Sequence, residues 1–399
     1  MNIINREQIY KALLLLPYLF AVTGMLVWDS GDKKLIPIFL ISIIVSILIF
    51  KKETILNNIR SPFVWLIGIS SIYIVFSYYY HGASSREIRA LIGTTLFLIC
   101  FPYQILTRKV ILWIVLIGSF TLCINSIYFN LYMNIERNAG YMNPIPYATA
   151  CSLISIVSFS LILGNSSWTK KALPSIAFLL SWPPIILSEA RGIWLALALS
   201  IILIIIIRCI NNPPSKNQLL LAVIFTTISS FSGTFLFKDK LSQRYESTII
   251  EIQQIHSNDY NTSFGLRLQM WMLAPELIQK KPLFGHGHEQ QLLLKEKLEH
   301  GEITRLLFRY ASAHYHNQIL DKIVKNGIIG LVLLLGILVY PTITIKNLRP
   351  PEKYIVAGLV SLFFIAGLTD VPFNHPQPLM LYLLFLVPIC SRYKRVTND

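Results

Sequence analysis

Residues 316–345 read HNQILDKIVKNGIIGLVLLLGILVYPTITI, a polar start that passes at Gly327 into a run without a single charge. A helix crossing the hydrocarbon of a bilayer needs roughly 20 mostly apolar residues. Residues 327–345 therefore read as a membrane span, with His316 and Asn317 at its water-facing start. Working outward, eleven more stretches read the same way: about 12–28, 35–50, 62–80, 90–106, 110–129, 146–164, 172–187, 193–207, 218–237, 354–369 and 377–391. The second, seventh and eighth of the twelve are short, so their limits are soft. With 54% hydrophobic and 14% charged residues in 399, the composition excludes an ordinary soluble enzyme. The expected fold class is all-α, a polytopic membrane protein of about 12 transmembrane helices.

Lysine and arginine bias gives the orientation. With the N-terminus inside, the inner segments hold 17 Lys and Arg, from Arg6 and Lys11 to Lys394 and Arg395, and the short outer loops hold six. An even number of spans leaves both termini cytoplasmic. Cleavage of the first apolar segment as a signal peptide would spoil this agreement, so that segment is expected to be retained. Much of the +15 net charge is the same inside bias and calls for no nucleic-acid partner.

Three regions follow: 1–237 with spans one to nine, a large outer loop at 238–314, and 315–399 with spans ten to twelve and a short cytoplasmic tail. The loop is close to neutral, with ten Lys and Arg against nine Asp and Glu. It is expected to hold two or three helices, one near 264–279, broken by Lys281-Pro282 and the Gly285-His286-Gly287 turn. The five cysteines lie in spans or at inner ends, so no structural disulfide is expected in the loop.

All eight histidines fall on the predicted outer side, so the chemistry belongs there. His316 can stand at the water–membrane boundary as a general base, since imidazole takes a proton near neutral pH; it can equally be an interfacial residue capping a helix. His314 is expected on a different face. Arg191 sits in a very short outer turn, where a guanidinium meets an anion or snorkels to headgroups. Arg267 and Trp271 share a helical face, which suits either a cation–π pair or an anion site. Asp370 ends the eleventh span and can orient His316 or an arginine, or cap the helix. Arg86, Arg89 and Arg137 can widen an anion-attracting surface, but read first as solvated loop charges. His286-x-His288 and His314-x-His316 offer four imidazoles to a zinc ion, but 26 residues separate the pairs and no outer cysteine assists. The expected metal count is none.

The pattern His316-Asn317, nine residues, Gly327-Ile328-Ile329-Gly330, set after a large outer loop, resembles the signature of the bacterial O-antigen ligases. These share a superfamily with the O-antigen polymerases and the protein O-oligosaccharyltransferases. Ser188-x-x-Arg191-Gly192-x-Trp194 resembles the family's arginine motif. Arg267-x-x-x-Trp271, ahead of the 282–287 turn, resembles the loop helix that carries a second essential arginine. In plan the resemblance covers most of the chain.

It implies a GT-C-like, metal-independent, inverting glycosyltransferase of the cell inner membrane that needs no cofactor. The donor would be an undecaprenyl diphosphate-linked O-antigen and the acceptor a terminal sugar of lipid A–core, joined on the periplasmic face amid membrane lipids. His316 would be the catalytic base, Arg191 and Arg267 would bind the diphosphate, and Asp370 would complete the substrate site. The two glycines, three apart, would let neighbouring helices approach closely. Two other readings stay open. One is an O-antigen polymerase acting on carrier-linked glycans. The other is a non-catalytic lipid-glycan transporter, although that class places functional charges in mid-span.

Overall fold

A lipid-facing backbone must satisfy its own hydrogen bonds, so apolar runs of this length fold as helices. The computed structural model describes residues 6–137, 140–164, 167–211, 213 and 238–392, and among these there is no β-strand. The helices of the first part are α1 (Arg6–Val22), α2 (Gly24–Val27), α3 (Gly31–Ile59), α4 (Pro62–His81), α5 (Ser85–Cys100), α6 (Arg108–Ile127), α7 (Pro144–Gly164), α8 (Trp168–Leu180), α9 (Trp182–Leu187) and α10 (Arg191–Asn211). The loop region carries α11 (Lys238–His256), α12 (Ser263–Lys280), α13 (Gln290–Glu299) and α14 (Arg305–Ala313). The last part is α15 (Gln318–Thr344), α16 (Glu352–Gly367) and α17 (Pro376–Arg392).

The molecule is an all-helical, multi-pass membrane protein. Among the described residues, seven helices are long and apolar enough to cross a membrane. Four more of the expected stretches are helical but short or interrupted: α5, the α8–α9 pair broken at Ser181, α16 and α17. The stretch 218–237 lies outside the described residues. The second stretch is longer than its apolar run suggested. The α3 helix runs for 29 residues because its charged end continues past a break at Lys51, where φ is +51°.

At the centre lies α7, whose Ser152, Ser155, Ser158 and Ser160 are fully buried. Two of them return their hydroxyl protons to their own helix: Ser158 to the Ile154 carbonyl and Ser160 to the Ile156 carbonyl, each at 2.8 Å. Their small side chains leave room for neighbouring helices. Against this centre packs α17, buried from Leu379 to Val387.

The loop has four helices among the described residues rather than two or three, and the one expected at 264–279 is α12. Leu266, Met270, Ala274 and Leu277 of α12, Leu294 of α13, and Leu307 and Ala311 of α14 close a second apolar core. That core also takes in Tyr315 and Val324, so it extends onto the first turns of α15.

Gly327 does something the sequence pattern did not suggest. It interrupts α15 at φ +63°, and a side chain there would run into the backbone of Leu283 and Phe284. The 282–288 turn fills the gap. The Ile328 amide donates to the Pro282 carbonyl at 2.9 Å, and the His286 amide donates to the Val324 carbonyl at 2.8 Å. On its other side the turn meets the end of α4, with the His288 amide on the Gly82 carbonyl at 3.1 Å. The first glycine of the pair is thus the socket that locks loop to bundle, where only glycine combines this φ with so close an approach.

Gly327→Ala is therefore expected to cost about 1–3 kcal/mol of stability from backbone strain alone, with further loss from the displaced turn. Gly68→Ala, on α4 with nothing near its Cβ position, is the neutral comparison. Thermal unfolding in detergent checks this, and equal melting of the two variants would contradict the docking role.

Candidate active site

His316 owes its position to the residues on both sides of it. Asn317 caps α15, its side-chain oxygen accepting the Ile319 and Leu320 amides at 3.1 Å each. On the preceding side, the Tyr315 amide donates to buried Asp321 at 3.1 Å. Asp321 also pairs with Lys325 at 2.9 Å and accepts a hydrogen bond from Asn374. Gln318 bridges to the same segment, donating to Asn374 at 2.9 Å and accepting the Phe373 amide at 2.8 Å. His316 is held between these anchors with φ +47°, a conformation side chains rarely adopt. So His316 does not open the helix; it stands one residue before the cap.

Its Nδ1 lies 3.2 Å from Asp370 Oδ1. With the proton on Nδ1, the ring donates to Asp370 and leaves Nε2 free to accept. Burial pushes the Asp370 carboxyl up. The hydrogen bond with His316 and the neighbouring His375, His314 and His316 outweigh it, holding the carboxyl below the usual range. His316 lines a cavity of about 720 Å³ together with Arg137, Arg267, Asn261, Leu306 and Tyr310.

A smaller cavity of about 140 Å³ adjoins through shared residues and is lined by Arg137, Arg191, Arg267, Glu189, Glu251 and Asp370. The four residues singled out in the sequence therefore meet: His316 bonds Asp370, Asp370 shares a cavity with both arginines, and Arg267 shares the other with His316. Arg267 belongs to both. Its Nε is buried with no hydrogen-bond partner among the described residues. Burial, opposed by Asp370, reinforced by Arg191 and opposed again by Glu251, makes its guanidinium less basic than usual. No cation–π contact joins it to Trp271 among the described residues; the indole instead donates to the Tyr315 carbonyl at 3.0 Å.

Arg191 is pinned rather than snorkelling, at 2.6 Å from Thr248 and 2.6 Å from Glu251, both on α11. Its motif is a folded turn. The Ser188 hydroxyl donates to the Ile185 carbonyl at 2.6 Å, and the Trp194 indole donates to the same carbonyl at 2.8 Å. A side chain at Gly192 would strike Thr369, so its absence lets the start of α10 lie beside Thr369 and Asp370. Glu251 also accepts the Phe264 amide at 3.2 Å, tying Arg191 to the start of the helix that carries Arg267. Sequence spacing alone gave no hint of Glu251, which lies 60 residues from its partner.

Several outer-side expectations change. Arg86 and Arg89 are not merely solvated; both pair with fully buried Asp32, at 3.2 and 3.3 Å. Arg137 lines both cavities and donates to the Ser188 carbonyl at 3.4 Å. His314 is not on a different face from His316, since their rings lie 4.2 Å apart. Burial, reinforced by His316, pushes the His314 pKa down to about 4, so that ring is neutral at pH 7. Of the histidines offered to zinc, His286 bonds the Leu277 carbonyl at 2.7 Å and lies in the docked turn, with a structural partner of its own.

Residues 176–335, which include the loop, both arginines and the histidine motif, match the family model described as O-antigen ligase. The chain is 29% identical to an uncharacterized protein of Haemophilus influenzae over 53% of its own length and 55% of that protein's. It is 25% identical to the O-antigen ligase of Escherichia coli over 54% of its length and 50% of the ligase's. It is 26% identical to the exopolysaccharide production protein ExoQ of Rhizobium meliloti over 30% of its length and 29% of ExoQ's. The chain thus spans about half the length, or less, of these curated relatives. The matched domain and these relatives support the O-antigen ligase/polymerase superfamily to which the sequence bears its resemblance.

Proposed function

We propose that the protein is an O-antigen ligase. It moves a glycan from undecaprenyl diphosphate to a terminal sugar of lipid A–core on the periplasmic face of the cell inner membrane, completing lipopolysaccharide. The pairing of His316 with Asp370 at the wall of the larger cavity is the observation that carries this reading. A sugar hydroxyl is a poor nucleophile until it loses its proton, and His316 Nε2 takes that proton as the oxygen attacks the anomeric carbon. The bond from that carbon to the diphosphate breaks, and negative charge grows on the leaving group. Arg267 and Arg191, both partly buried, stabilise it, the part a divalent ion plays elsewhere. Asp370 acts by holding His316 in the tautomer that accepts. Attack from the face opposite the diphosphate inverts the centre, and no metal is required.

The remaining features of this reading are a GT-C-like arrangement of 12 spans, both termini cytoplasmic, and 238–314 as the periplasmic subdomain. The arginines carry a qualification within it. Three arginines around the smaller cavity face Glu189, Glu251 and Asp370, so the count of charges is balanced there. A diphosphate must therefore compete with Glu251 for Arg191, and Arg267 is the stronger of the two donors.

The family match is equally compatible with an O-antigen polymerase, and a deletion strain separates the two. Loss of a ligase leaves a pool of carrier-linked polymer beside unmodified core. A core capped by single repeat units would instead identify the polymerase.

A further inference from the structure

Four side chains from two distant stretches, His314 and His316 on one and Asp370 and His375 on the other, converge. The ring of His314 lies 4.2 Å from that of His316 and 6.1 Å from that of His375, centroid to centroid. Asp370 receives His316 Nδ1 at 3.2 Å on one oxygen and has His375 Nε2 at 3.9 Å from the other. One ligand-capable atom each from His314, His316 and Asp370 falls within 4.8 Å of the others. Two polar atoms of this group have no hydrogen-bond partner among the described residues, His314 Nδ1 and Asp370 Oδ2, and Asp370 is only 3% exposed. A buried carboxylate oxygen left in that state is costly unless something positive meets it.

We propose that this cluster is an inhibitory zinc site: Zn²⁺ held by His314, His316 and Asp370, with His375 placed to supply a fourth ligand, blocks glycan transfer by occupying the general base. The proposal rests on the reading of His316 as that base. Imidazole nitrogens with one carboxylate are ligands zinc favours, whereas magnesium and calcium take oxygen almost throughout. Zinc–nitrogen bonds of about 2.0–2.1 Å in a tetrahedron hold ligand atoms roughly 3.3 Å apart. Atoms separated by up to 4.8 Å must therefore close in, a movement within reach of side-chain rotation. Either nitrogen of His316 gives the same outcome. Zinc on Nε2 takes the accepting lone pair directly. Zinc on Nδ1 displaces the bond to Asp370 and obliges the neutral ring to carry its proton on Nε2, which then cannot accept another.

The test uses the full-length chain in detergent, freed of metal by a chelator that is then removed. A His256→Ala/His300→Ala background eliminates two exposed histidines outside the cluster. Zinc chloride is titrated by calorimetry, and transfer is assayed over the same concentrations. One equivalent should bind, transfer should fall as it binds, and chelation should restore it. Asp370→Asn and His375→Ala should weaken binding about 10- to 100-fold, with thermal melts confirming that each variant folds. Absence of one-equivalent binding, or binding unchanged in both variants, overturns the zinc site and leaves His316 as base. Zinc that binds through this cluster and stimulates transfer overturns the inhibitory site and metal-independent transfer together.

Discussion

His316→Ala is expected to lower glycan transfer by about 10²–10⁴-fold, the usual worth of general-base catalysis, while expression and donor binding persist. The ring lines a cavity wall and bonds Asp370, and its removal leaves the anchors on either side, the Asn317 cap and the Tyr315 amide on Asp321, in place. Turnover should fall far more than donor affinity, because proton removal contributes in the transition state and not to the bound donor. Asp370→Asn should lower turnover in the same direction by a smaller factor, since an amide can still meet the ring but can favour the wrong tautomer. His314 is unsuitable as a bystander control, because it packs against the very ring under test. His300, exposed on the loop, is the better control, and His300→Ala should transfer at the wild-type rate. Wild-type turnover in His316→Ala would remove the base from the mechanism.

Arg267→Lys is the second large effect, an expected loss of about 10²-fold in turnover, the scale seen when one donor to a developing negative charge is removed. Lysine keeps the length and the formal charge but loses the planar fork that engages two phosphate oxygens at once. Burial and the neighbouring Arg191 already make the Arg267 position unfavourable for a cation. An ammonium there gives up its proton more readily than a guanidinium does, so charge as well as shape is at risk. Arg191→Lys should cost less, because Glu251 and Thr248 share that guanidinium in the resting protein. Steady-state turnover against donor concentration checks both variants. An Arg267→Lys enzyme with wild-type turnover would leave the diphosphate without its principal partner.

Uninterrupted apolar runs were enough to read an all-helical membrane chain, because a span is a local property of about 20 residues. The same is true of α12, whose bounds Ser263–Lys280 follow its side-chain pattern and the Lys281-Pro282 stop. What escaped was set by contacts distant in sequence. Gly327-x-x-Gly330 reads as a small-residue face between helices, yet Gly327 breaks its helix to receive the 282–288 turn, a partner some 40 residues upstream that no spacing announces. Asp32, in the first turn of α3, carries no pattern that marks it, although it is fully buried and paired with Arg86 and Arg89. His314, two residues from His316, reads as lying on a different face. The backbone there is extended at His314 and left-handed at His316, so the rings meet. His316, Asp370, Arg191 and Arg267 stand out in the sequence because three lie in recognisable motifs and the fourth ends a span, and the structure brings the four together. Glu251, Asp321, Gln318 and Asn374 do not stand out, because positioning residues are defined only by what they touch.

One measurement tests the central claim directly. Purified full-length protein is mixed with undecaprenyl diphosphate-linked glycan and rough lipopolysaccharide, and the products are resolved by mass. Formation of a heavier glycolipid by the wild-type chain, without added divalent metal and absent with His316→Ala, is the predicted result. Longer carrier-linked glycan with the lipopolysaccharide untouched, or equal product from His316→Ala, would contradict it.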